Sequence, residues 1–337
     1  MSTTIIAFFN NKGGVGKTSL VYHLAWMYSS LGYRVIAADL DPQSSLTTAF
    51  LDEESLEKVW LDNNHKKTIF GCIQPLINGI GDIREPELLH INNSENSANN
   101  ISLLVGDILL AEFEYYLSQI WHESQIGNIN ALQSISAFWR ILKKAAISNQ
   151  ADIILMDLGP NLGAINHAAL IAADYVVIPL LLDKFALYGL RNLAKTFSNW
   201  RENWKNILNQ NMNYAEPLPA GLMQAIGYVI WQLPIRLDRP VNAYNHLIYE
   251  IPKLYREAMF NQPQEHNISL EDDPYCLALL KNYQSLMRMA QEAHKPMFHL
   301  KPADGAIGAH SRAAKNVYQD FRKLALKIVE RTQIRVF

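Results

Sequence analysis

Two hydrophobic periods alternate along the chain. Thr3–Phe9, Arg34–Asp39, Ile101–Val105, Asp152–Leu158, Tyr175–Leu181 and Ala225–Trp231 are short, nearly unbroken apolar runs. Runs of this length predict strands buried on both faces, as in a parallel sheet. Longer stretches between them place apolar residues three and four apart and predict helices. Thr18–Leu31 carries Leu20, Leu24, Met27 and Leu31 on one face and stops at Gly32. Phe185–Leu208, Val241–Phe260 and Ser311–Thr332 read the same way, the last with a stripe of Ala314, Val317, Phe321, Leu324 and Ile328. Such alternation predicts an α/β fold: one domain spanning 1–337, with a mostly parallel twisted sheet and helices on both faces. Residues 52–100 are polar and include the Asn/Ser-rich run 92–100, which reads as a flexible loop. Residues 261–274 form a second loop. Strand-like sequence follows each, so both read as elaborations and not as linkers.

The chemistry sits where the first strand meets the first helix. Residues 10–18 are Asn-Asn-Lys-Gly-Gly-Val-Gly-Lys-Thr. A strand, a glycine-rich turn and a helix N-terminus aim successive backbone N–H groups at one point, which makes a phosphate cradle. Gly13, Gly14, Val15, Gly16, Lys17, Thr18 and Ser19 form its wall. Lys17 is positioned to reach the β- and γ-phosphates, and the Thr18 hydroxyl to meet Mg²⁺. The second strand closes on Asp39-Leu40-Asp41-Pro42. Carboxylates two apart on a strand share a face, here toward the cradle. The run Asp152–Asp157 is apolar and closed by an acid, so Asp157 is a candidate to hold Mg²⁺ through water. Asp39, Asp41 and Thr18 complete the candidate metal set.

The loop Lys12-Gly13-Gly14-Val15-Gly16-Lys17-Thr18 departs from the common phosphate-loop pattern by its extra lysine, and it resembles the ParA/MinD family of deviant Walker A ATPases. Weaker likenesses follow at Gly106–Glu112, Ala172–Pro179, Phe185–Leu190, Tyr283–Leu286 and Gly308–His310. The resemblance implies a P-loop fold, ATP and Mg²⁺ as cofactors, and ATP hydrolysis. It implies that Lys12 crosses to the nucleotide of a second copy in an ATP-dependent homodimer. It assigns Lys12, Lys17 and Asp41 to catalysis, with Asp41 positioning the attacking water. It further implies non-specific DNA binding, a ParB-like or other adaptor that stimulates hydrolysis, and a role in plasmid or chromosome partitioning or in cargo positioning. The competing reading is a MinD-like membrane-associated regulator, or an accessory ATPase of a surface-polymer system. An iron protein with a paired-cysteine cluster does not fit Cys72 and Cys276.

Composition narrows the rest. About half of the 337 residues are apolar, enough for a sizeable core. No apolar run approaches the ~20 residues of a membrane span. The first residues enter a strand at once, without a signal-peptide pattern. The two cysteines read as free thiols of a reducing cytoplasm. The net charge of −2 hides an asymmetry: residues 295–337 carry +6 and the rest −8. An anionic partner near that end is therefore expected. Candidate DNA contacts are Arg236 and Arg239 and, on the 311–332 helix, Lys315, Arg322, Lys323 and Lys327.

Overall fold

The computed structural model describes residues 3–62, 65–91, 100–233, 235–236, 239–240, 245–262, 267–332 and 334, with the side chains of 235, 236, 239, 240, 245 and 284 outside the description. The strands are β1 (Thr4–Phe8), β2 (Val35–Asp39), β3 (Leu89–Ile91), β4 (Ile101–Leu104), β5 (Ile153–Asp157), β6 (Tyr175–Leu181) and β7 (Gln224–Leu233). A two-residue pair, β8 (Ile235–Arg236) and β9 (Arg239–Pro240), precedes β10 (Cys276–Lys281). Eight of these form one sheet in the order β10-β7-β6-β1-β5-β2-β4-β3. Every neighbour is parallel except β3, which runs antiparallel along β4.

The helices are α1 (Lys17–Ser30), α2 (Ser45–Phe50), α3 (Glu53–Trp60), α4 (Ile69–Ile77), α5 (Leu110–Ile120), α6 (Ile129–Ile135), α7 (Ala137–Ser148), α8 (Ala164–Ala172), α9 (Lys184–Gln210), α10 (Asn245–Phe260), α11 (Gln284–Glu292) and α12 (Ala309–Thr332). They cover both faces of the sheet. On β1, Ile5 and Ala7 enter one core with α4 to α10, while Ile6 and Phe8 enter the other with α1, α2, α3, α11 and α12. This two-sided burial is why the strands read as unbroken apolar runs.

The expected strands and helices form with ends shifted by at most two residues, except that the helix expected from Val241 is described from Asn245, residues 241–244 lying outside the described residues. The 52–100 stretch holds more structure than its polarity suggests. It contains α3, α4 and β3, and Ile69, Phe70, Cys72, Ile73 and Leu76 of α4 join the core. The 92–99 run falls outside the described residues. The strand-like sequence expected after residue 274 is β10, a short strand at the sheet edge beside β7. On α12, the expected stripe of Ala314, Val317, Phe321, Leu324 and Ile328 is buried. The helix packs on α1, where Tyr28 Oη donates to the Ala325 carbonyl at 3.1 Å. Cys72 and Cys276 are both buried free thiols, and burial pushes each up to about 12. Among the described residues no helix is long and apolar enough to cross a membrane.

Candidate active site

The sheet order assembles the site. β1, β5 and β2 are neighbours, and Phe8, Asp157 and Asp39 lie level at their carboxyl ends. Residues 10–16 leave β1 there and turn into α1. Gly14 and Gly16 take left-handed conformations, with φ of 72° and 85°. Gly16 is doubly constrained, because a Cβ there would also collide with the buried indole of Trp231 on β7. Asn10 braces the turn: its Nδ2 donates to Pro179 O at 2.8 Å, and its Oδ1 accepts from Lys12 N at 3.0 Å.

Lys17 is buried and curls back over the loop. Its Nζ donates to Asn10 O at 3.1 Å and Lys12 O at 3.3 Å. Burial pulls the ammonium below its ordinary pKa, opposed by Asp157 and Asp41. Two loop carbonyls thus hold the cation at the mouth of the cradle. Gly13 to Ser19 line a cleft of about 400 Å³ with Asp41, Gln43, Ser45, Pro160, Trp231, Gln232, Met287 and Gln291. A second cleft of about 460 Å³ shares Thr18, Ser19, Ser45, Met287 and Gln291 with it and extends past Tyr22 and His23 to α11.

Among the acids, Asp157 is wholly buried and neither of its oxygens has a hydrogen-bond partner. Burial and then Asp39 drive its carboxyl well above the usual carboxylate range, with Thr18 and Lys17 opposing. Two orphaned carboxylate oxygens beside Thr18 suit a hard cation that binds one or two protein ligands and keeps its waters. Among the described residues no three His, Cys, Asp or Glu side chains converge to hold a metal alone.

Asp39 departs from the sequence expectation. The strand ends at Asp39, so Asp41 does not share its face in the manner of a strand. Instead Asp41 N donates to Asp39 Oδ1 at 3.3 Å, and Asp39 Oδ2 accepts from Thr47 N at 2.8 Å and Thr47 Oγ1 at 2.7 Å. These bonds spend its oxygens on the turn and on α2. Burial nevertheless pushes its carboxyl up to about 7. Asp41 opens on the cleft and accepts from Gln43 N at 3.0 Å. It faces Gly159, where an added Cβ would stand 3.2 Å from Asp41 Oδ1.

Lys12 has partners within its own chain. Within this single chain its Nζ pairs with the Asp183 carboxylate and lies 5.5 Å from the Phe185 ring centre. Asp183 caps α9 at the same time, accepting from Ala186 N at 2.9 Å. Sequence reasoning missed Asp183, although an acid directly before a helical run is a recognisable cap.

The basic residues separate into two groups. Lys315, Arg322 and Lys323 are exposed on α12. Lys327 is not available in the same way: it lies on the seam with β10, and its Nζ donates to Cys276 O at 2.6 Å. Arg236 and Arg239 pair through their backbones as β8 and β9, and their side chains lie outside the described residues.

The sequence profile of the family described as AAA domain matches residues 3–213. The cell division protein PomZ of Myxococcus xanthus is 30% identical over 203 residues, covering 60% of this chain and 54% of that protein. The sporulation initiation inhibitor protein Soj of Bacillus subtilis is 25% identical over 272 residues, covering 80% and 87%. Protein IncC of Escherichia coli is 30% identical over 203 residues, covering 60% and 47%. The chain thus spans about half the length of two of these relatives. The fold matches protein DIP2308 of Corynebacterium diphtheriae with a TM-score of 0.72, 22% identity and 98% of each chain covered. An ATP complex of a Cyanothece McdA variant superposes with a TM-score of 0.64, 15% identity, and 99% and 98% coverage. A putative plasmid partition protein of Borrelia burgdorferi B31, bound to AMPPNP, gives 0.57, 18% identity, and 98% and 99%.

Proposed function

The chain belongs to the ParA/MinD family of AAA-domain proteins, and from that premise we propose that it is an ATP-dependent switch: it binds and hydrolyses ATP with Mg²⁺, dimerises with ATP bound, and holds DNA without sequence preference during plasmid or chromosome partitioning or cargo positioning. The observation that carries the proposal is the convergence of Lys17, Thr18 and Asp41 on one glycine-walled cleft, with the fully buried Asp157 carboxyl beneath it interacting with all three.

In this reading the residues around the cleft divide the labour. The N–H groups of residues 13–19 and the α1 N-terminus receive the phosphates. Lys17 exchanges two loop carbonyls for phosphate oxygens at little cost, because it is already desolvated. Asp157 and Thr18 would hold Mg²⁺, which neutralises phosphate charge when bound. Asp41 orients the attacking water. Lys12 supplies the remaining positive charge to the nucleotide of a second copy, and an adaptor protein of the ParB kind sets the rate. The working compartment is the cytoplasm, with the nucleoid as the DNA surface.

Steady-state phosphate release should require ATP and Mg²⁺ and stop with EDTA. Binding to unrelated duplexes should require ATP and weaken steeply from 50 to 200 mM salt, as phosphate contacts do, by a factor on the order of 10³. A chain that hydrolyses nothing, or that binds duplexes equally without nucleotide, is not the proposed switch.

A further inference from the structure

The segment 158–163 that follows Asp157 is held from the α8 side by one buried amide. Asn166 lies in the first turn of α8 and is almost fully buried. Its Nδ2 donates to Gly159 O at 2.9 Å, Asn161 O at 2.8 Å and Asn161 Oδ1 at 2.9 Å. The identity of the last acceptor is fixed independently, since Asn161 Oδ1 also accepts from Gly163 N at 2.9 Å. Three acceptors therefore surround a single nitrogen. No acid can substitute there, because a carboxylate brings only acceptors to a buried spot that needs a donor. The Asn166 Oδ1 is buried without a partner, so the side chain's hydrogen bonds all run through its nitrogen.

The first turn of α8 is itself fixed on two further sides. The Glu114 carboxylate of α5 accepts from Ala164 N at 2.6 Å and Ile165 N at 2.8 Å, capping the helix from outside. Next to Asn166, His167 is sandwiched between Trp121 and Trp200, with ring centres 4.1 and 4.2 Å away and planes within 22° and 15°. A helix turn so held is a rigid mount. The loop that it grips bears Gly159, the residue packed against Asp41.

We propose that Asn166 is a positioning residue: its amide nitrogen, mounted on α8, sets the distance between the 159–163 loop and Asp41. The inference rests on the hydrolytic reading above. It adds a residue that touches neither nucleotide nor metal and acts through the loop.

The test compares Asn166→Asp, which is isosteric, with Asn166→Ser, which retains a single donor and serves if the aspartate variant does not fold. Turnover should fall about 100-fold in the aspartate variant, the scale of a roughly 1 Å misplacement, and less in the serine variant. Affinity for a fluorescent ATP analogue should stay within about twofold, since the cradle is untouched. Amide hydrogen exchange should rise at residues 159–163 and remain as in the wild type at 13–19. Unchanged exchange at 159–163, or a turnover loss matched by an equal loss of nucleotide affinity, overturns the proposal. A wild-type chain that binds the analogue without turning over defeats the hydrolytic reading instead, and the exchange comparison still decides the role of Asn166.

Discussion

The ammonium of Lys12 is tied to Asp183, a residue 171 positions away that also caps α9. The lysine proposed above to serve a second copy is thereby occupied within its own chain. Both side chains are about one-third exposed, and an ion pair so placed holds its partners by only about 0.2–1 kcal/mol. Such a latch is weak enough for nucleotide and a partner to release. Asp183→Asn keeps the capping oxygen but removes the charge. The variant should form the ATP-dependent dimer at about two- to fivefold lower protein concentration, with its melting temperature nearly unchanged. Sedimentation at several ATP concentrations measures this, and equal dimerisation in both proteins would mean that the pair restrains nothing.

A buried carboxylate without partners costs stability in exchange for function. Asp157→Asn removes the charge and the repulsion from Asp39 while keeping the shape. Thermal denaturation of the nucleotide-free protein should report a gain of about 1–3 kcal/mol. Turnover with Mg²⁺ should be lost in the same variant. A variant that is both less stable and inactive would point to a structural role for this carboxylate.

Gly16 is confined twice, by a positive φ and by the Trp231 ring. Gly16→Ala should lower stability by about 1–3 kcal/mol and abolish nucleotide binding. Adding Trp231→Ala should return only part of the stability, because it removes the collision and leaves the backbone strain. Full recovery in the double variant would show that the indole alone excludes a side chain.

The placement of the candidate site residues at the strand ends was legible for a physical reason. The phosphate loop is a local device, with its glycines, Lys17 and Thr18 contiguous in sequence, and the two-sided burial of β1, β2 and β5 wrote itself as apolar runs ending in Asp39 and Asp157. What escaped was long-range. Asn166 reaches back to Gly159 from an α8 position with no local motif to mark it, and Glu114 caps α8 from 50 residues upstream. The expected shared face of Asp39 and Asp41 did not form, because the strand ends at Asp39 and a turn follows. The α4 helix was obscured by its polar surroundings between residues 52 and 100.

His23 links α1 to the C-terminal part of the chain and makes that junction sensitive to acid. Its Nδ1 lies 2.7 Å from Ser19 O, and its Nε2 accepts from Met297 N at 3.1 Å, an arrangement that requires the neutral ring. Burial lowers its pKa from 6.5 to about 4. The folded state therefore binds fewer protons than the unfolded state between these values. The contribution is fully present above pH 6.5 and is lost as pH falls toward about 4, to the extent of about 3 kcal/mol. Asp39 runs the other way: raised from 3.8 to about 7, it favours the fold below pH 3.8 and loses that benefit as pH rises through 7. His23→Gln should flatten the acid side of the stability profile, measured by denaturant unfolding at pH 4.5 and 7.0. A variant with the wild-type slope would assign the acid sensitivity elsewhere.

The lysines of α12 should divide by what they touch. Lys327 holds the Cys276 carbonyl at the edge strand, whereas Lys315, Arg322 and Lys323 point from the exposed side of the helix. Helical spacing sets Lys315, Arg322 and Lys323 on one flank, within reach of successive phosphates of a duplex. If α12 is the DNA surface, alanine at each exposed position should weaken duplex binding regardless of sequence and lower the salt slope by about one. Lys327→Ala should instead cost about 1 kcal/mol of stability by leaving a carbonyl unpaired, with the salt slope unchanged. The decisive measurement is therefore the slope and not the affinity, because a destabilised protein loses affinity without changing the number of counterions released. Equal slopes across all four variants would remove α12 from the interface and leave the hairpin carrying Arg236 and Arg239 as the remaining candidate.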